Sequence, residues 1–78
     1  MSYLDWLRTG SDFHKVSRIA NGFKIEAPDD SLQCRERFSE IVDEAIGNAS
    51  FEGYQILPHR SSREDGLWDS AIITISAG

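Results

Sequence analysis

The 78-residue sequence predicts an α+β fold: a short N-terminal helix, then β-β-α-β-β, with one amphipathic helix packed on a four-stranded, largely antiparallel sheet. Three observations predict it. Asn21-Gly22 stands between Val16–Ala20 and Phe23–Ala27, two stretches of β-branched, aromatic and alternating residues, which is the pattern of a two-residue hairpin turn. An apolar stripe at helical spacing follows Pro28-Asp29-Asp30. Beyond it, Gly53–Leu57 and the alternating Ala71, Ile73, Ile75 and Ala77 read as a second hairpin.

The boundaries are those of one small domain, 1–78: a docking helix over 1–9, a hairpin over 15–27, a helix over 30–47 and a hairpin over 53–77. In the first helix Ser2 is the cap, Asp5 lies three residues on, and Tyr3, Trp6 and Leu7 share a face. About two turns cannot hold themselves together in water, so this helix must dock. A turn centred on Asn21-Gly22 pairs Ala20 with Phe23, Arg18 with Ile25 and Val16 with Ala27 on one core-directed side. Ser17, Ile19, Lys24 and Glu26 take the other side, and a one-residue slip would exchange the two.

Asp30 and Gln33 are spaced as a capping box for the long helix. At 100° per residue Cys34, Phe38, Ile41, Val42, Ala45 and Ala49 form its buried stripe, with Glu36, Glu40, Asp43 and Glu44 on the far side. Gly47-Asn48 supplies a stop. The third strand ends at Pro58, the fourth begins near Leu67 or Trp68, and His59–Gly66 between them is a polar loop. The order of the strands in the sheet is left open.

Composition bounds the chemistry. A net charge of -5, from thirteen acidic against eight basic residues, repels phosphate backbones and argues against general nucleic-acid binding; a basic partner fits better. The single cysteine allows no internal disulfide and points to a reducing cytoplasm. One cysteine and two histidines are too few soft ligands for a structural zinc site, and no motif implies any cofactor. No secretory pattern or membrane-length apolar run is present, so membrane contact is not expected.

Candidate site residues fall into two groups. Tyr3, Trp6, Trp68 and Ile72 are candidates for partner binding, because aromatic anchors dominate interface energetics and Ile72 stands on the outer side of its strand. Phe51 and Tyr54, which flank the helix exit, belong instead to the core. His59, Arg60 and Arg63 form the one local concentration of positive character, a candidate anion-binding loop, although Glu64 and Asp65 follow at once. Cys34 lies in the apolar stripe and reads as a small buried hydrophobe; His14 and His59 read as surface histidines. No spacing assembles a nucleophile, a base and an orienting carboxylate, so the chain is read as not an enzyme.

The leading expectation is therefore a non-enzymatic protein–protein interaction or accessory module that binds an unknown protein partner or itself. A second is an inhibitor that presents the acidic helix face, Glu36, Glu40, Asp43 and Glu44, to a basic or nucleic-acid-binding partner. A third comes from the order of elements. A short amphipathic helix, Met1-Ser2-Tyr3-Leu4-Asp5-Trp6-Leu7, before a strand, a long helix and a C-terminal hairpin resembles the MinE-type bacterial division-site specificity factors over the whole chain, without a specific motif. That resemblance implies dimerisation, membrane contact through the first helix and an ATPase partner. Asn21-Gly22 stands where that family places its Arg- and Leu-rich contact segment, so no functional residue is carried across.

Overall fold

Ser2 caps the first helix as its spacing requires: its Oγ accepts the Asp5 amide at 3.1 Å, and α1 runs over Tyr3–Thr9. A second orphan amide of this helix, that of Leu4, donates to Glu52 Oε1 at 3.0 Å from 48 residues away. The computed structural model describes residues 2–75 and continues with β1 (Lys15–Ile19), β2 (Gly22–Glu26), α2 (Leu32–Glu52), β3 (Tyr54–Arg60) and β4 (Trp68–Ile75). Ala77, assigned to the last strand on sequence, lies outside the described residues.

The four strands form one sheet in the order β1-β2-β4-β3, with every neighbouring pair antiparallel. β2 and β3, joined through α2, thus run parallel to each other with β4 between them. The helix covers the face carrying Phe23, Ile25, Tyr54, Ala71 and Ile73, and contributes Phe38, Ile41, Val42 and Ala45 to the same core; Leu7 of α1 closes it at one side. Burial of this kind supplies most of what holds so small a chain together.

The first hairpin keeps the expected faces but not the expected turn. Val16 pairs with Ile25 and Arg18 with Phe23, so the two central turn residues are Ala20 and Asn21 rather than Asn21 and Gly22. None of the three has a positive φ, and the turn is not the type I′ that Asn-Gly suggested. Because the register moves by two residues in the pairing sum, face membership is preserved. Gly22 owes its identity to a different constraint: a Cβ there would collide with the Ile73 carbonyl oxygen of β4, the strand that pairs with β2. The close approach continues into the turn, where the Ile75 amide donates to the Asn21 carbonyl at 3.1 Å.

The long helix starts and ends later than expected. Ser31, not Asp30, is its cap, with Oγ accepting the Cys34 amide at 3.2 Å, while Asp29 Oδ1 accepts the Ser31 amide at 2.7 Å. The helix runs through Gly47-Asn48 because Asn48 satisfies itself locally, donating from Nδ2 to the Glu44 carbonyl, and Gly47 sits on the exposed face. It stops at Gly53, whose left-handed φ of 73° lets its amide return to the Ala49 carbonyl at 2.9 Å. The extra turn carries Phe51 to the solvent side, where it is 89% exposed; Tyr54 is buried, its hydroxyl donating to the Ala45 carbonyl. β3 likewise continues past Pro58, which an edge strand tolerates because the missing amide belongs to its unpaired side.

Candidate functional site

α1 packs on the core, with Tyr3, Leu4 and Trp6 partly buried against it. Leu7 is its fully buried anchor, and Tyr3 and Trp6 lean over the flank of α2, with the Tyr3 hydroxyl donating to the Ile41 carbonyl at 3.1 Å. The segment leading from α1 to β1 is fixed by His14. That side chain is buried, contrary to the surface placement expected of it. Its Nε2 lies 3.0 Å from the Leu7 carbonyl, which only accepts, so Nε2 carries the proton and Nδ1 accepts from the Ser11 hydroxyl at 2.6 Å. Ser11 Oγ in turn accepts the Phe13 amide. Burial holds His14 below its usual range, against the opposing pull of the Leu7 and Trp6 carbonyls. The imidazole packs on Trp6, with 4.7 Å between ring centroids, and Trp6 packs on Tyr3 at 5.3 Å.

Between this aromatic stack and α2 lies a groove of about 590 Å³. Tyr3, Trp6 and Phe13 form its aromatic walls, Ile41 its floor, and Asp12, Arg37, Glu40 and Glu44 its rim. Arg37 pairs with Glu40 at 2.9 Å, and its guanidinium carbon stands 5.9 Å from the centre of the Phe13 ring. Among the described residues neither Asp12 nor Glu44 has a basic partner within salt-bridge distance. The Tyr3 hydroxyl is pushed well above its usual range, first by burial and then by the Glu44 carboxylate beside it. A second, more open hollow adjoins across Phe13, Arg37 and Glu40 and reaches Leu32 and Glu36.

The four partner-binding candidates do not form one surface. Tyr3 and Trp6 are in the groove. Trp68 lies on the opposite flank of α2, where its indole Nε1 donates to Asp43 at 2.9 Å, its amide donates to Ser39 Oγ, and Arg60 covers its ring at 4.2 Å. Ile72 is on the open face of the sheet, opposite Lys24 on one side and Leu57 on the other; Leu57 is 69% exposed. The acidic helix residues are divided in the same way: Glu40 is paired, Asp43 accepts from Trp68, Glu44 enters the groove and Glu36 the adjoining hollow.

The loop candidates are also separated. Arg60 donates to the Gly66 carbonyl while stacking on Trp68, and Arg63 lies 3.8 Å from Asp30. His59 is on the open sheet face, lining a polar hollow with Glu26, Asp30 and Asp69 as well as Lys24 and Arg35. The loop is organised by a residue the sequence did not single out. Arg35 of α2 is buried, and its guanidinium contacts Asp65 at 2.6 Å, Ser61 Oγ at 3.2 Å and Asp69 at 3.8 Å. Asp65 is held below the usual carboxylate range by the Leu67 amide first and Arg35 next. A different pair of arginines, Arg8 and Arg18, lines a hollow together with Val16, Phe23 and Ile75.

Cys34 is half-buried at the start of α2 rather than in the core, its Sγ 3.4 Å from Asp29 Oδ2, because the later helix start moves it into the first turn. Among the described residues no three or more His, Cys, Asp or Glu side chains converge to hold a metal, and no helix is long and apolar enough to cross a membrane. Comparison with protein-family models, with curated proteins and with solved structures finds no match for this chain.

Proposed function

We propose that this protein is a non-enzymatic interaction module that docks another protein in the groove between α1 and α2, with Tyr3 and Trp6 as anchors. The observation that carries this reading is the groove itself. A seven-residue helix without intrinsic stability is fixed by Leu7, His14 and Glu52 so that two half-buried aromatic rings, packed against the core on one side, also line a hollow. Rigid, half-buried aromatics lose little entropy on binding and bring large apolar area, which is why such residues dominate interface energies. The test is a photo-crosslinking amino acid at Gln33, an exposed position lining the adjoining hollow, in cells. A crosslinked product of defined mass that is lost in a folded Trp6→Ala variant supports the reading; no product, or one indifferent to Trp6, refutes it.

The open sheet face supports a second reading, self-association. Leu57 and Ile72 are exposed neighbours across β3 and β4, and among the described residues no element covers them. Light scattering decides it: a dimer that Leu57→Asp converts to monomer places the contact there, and a wild-type monomer removes it.

A further inference from the structure

The walls and rim of the α1–α2 groove specify more than an apolar guest. Three aromatic side chains, Tyr3, Trp6 and Phe13, line one hollow together with three carboxylates and one guanidinium. That guanidinium is already neutralised by Glu40, so the surplus at the mouth is the negative charge of Asp12 and Glu44. An aromatic box with a negative rim favours a cation on an aliphatic stem, because the ring quadrupoles and carboxylates attract the head while the rings cover the stem. Arg37 shows the preference locally, since it brings its own cation to the face of Phe13.

We infer that this groove binds the side chain of a lysine presented by a basic peptide segment of the partner, with the ammonium between Glu44, Asp12 and the faces of Trp6 and Tyr3. The adjoining hollow, with Glu36, Leu32 and Phe13, lies where the residues flanking that lysine continue along α2. A second arginine-sized cation is disfavoured by Arg37, whose planar head occupies the Phe13 side of the groove. This inference rests on the proposed docking role and adds the chemistry of the guest.

The experiment is an NMR titration of the whole chain with the peptide acetyl-Gly-Lys-Gly-amide, read at the Trp6 indole N–H, with the Trp68 indole on the opposite flank of α2 as internal reference. Saturable shifts at Trp6 and not at Trp68 are expected, with a Kd on the order of 1 mM for a single side chain. The norleucine peptide, which lacks the ammonium, should leave the Trp6 signal in place. Glu44→Gln, an exposed and conservative change, should weaken the lysine peptide about fivefold, as the loss of one charge contact in water implies. Trp6→Phe should weaken it while keeping an aromatic face.

Equal binding of the norleucine peptide would overturn the cationic guest and leave an apolar docking groove. Preference for acetyl-Gly-Glu-Gly-amide, titrated in the same way, would overturn it in favour of an Arg37-directed site. No shift with any peptide would also overturn it, and Trp6-dependent crosslinking at Gln33 would still decide the docking role on its own.

Discussion

Gly22→Ala separates two explanations of the same glycine. Its φ is not positive, so backbone entropy alone predicts that alanine stabilises by about 0.4–1 kcal/mol through the unfolded chain. The packing predicts the opposite sign. The new methyl would overlap the Ile73 carbonyl oxygen and stand 3.0 Å from Thr74 Cα, both backbone atoms of the central strand β4. Neither can rotate away, so β2 and β4 must separate at this end, straining the Ile75-to-Asn21 hydrogen bond. Overpacking of this kind costs roughly 1–3 kcal/mol and a lost hydrogen bond about 1 more, giving an expected destabilisation of about 2–4 kcal/mol.

The assay is urea unfolding followed by far-UV circular dichroism, with two companion variants. Gly47→Ala, in an exposed helical position with open space around it, should gain about 1 kcal/mol from helix propensity. Asn21→Ala should stay within about 0.5 kcal/mol, since its exposed side chain supports no positive-φ turn. In a chain this short each 1 kcal/mol moves Tm by roughly 4–8 °C, so the three outcomes are well separated. A neutral or stabilising Gly22→Ala refutes the close-approach argument, and a loss of about 1 kcal/mol or more in Asn21→Ala refutes the reading that its side chain takes no part in the turn.

Stability should fall as pH drops from about 6.5, because His14 is neutral and depressed in the folded state but free to protonate when unfolded; one proton limits the slope to at most about 1.4 kcal/mol per pH unit. Denaturation midpoints should be nearly level from about pH 7.5 to 6.5 and fall below it, and His14→Gln should flatten the fall. At lower pH a second loss begins as Asp29 and Asp65, held below their unfolded values in the native state, become protonated; unfolding curves below about pH 4 should show it. Leu7→Ala should cost about 2–5 kcal/mol and red-shift Trp6 emission, as α1 loses its only fully buried side chain among the described residues. Arg35→Gln should speed amide exchange at Ser61 and Leu67 while leaving the β1–β2 amides protected, since the loop closes through the Ser61 amide on the Leu67 carbonyl and is held by Arg35 on Asp65.

Local periodicity determined a good part of this molecule. Alternation in Val16–Ala27 assigned Phe23 and Ile25 to the core even though the turn lies one residue earlier, because a strand's faces depend on parity and survive a shift that preserves it. The 100° stripe of α2 selected Phe38, Ile41, Val42 and Ala45, and Ser2 and Asp5 gave α1 its start, since these signals act within a few residues. The sequence also named Tyr3 and Trp6 as half of a candidate surface. It did not reveal their groove, which needs Ile41 and Glu44 of a distant helix beside them. Only the tertiary structure decided the order β1-β2-β4-β3, the steric reason for Gly22, the capping of α1 by Glu52, the burial of His14 and the use of Arg35 to hold a loop. Each of these joins groups far apart in the chain or replaces water with one particular carbonyl, and no spacing along a single segment records which distant partner will satisfy a polar group once the core has closed.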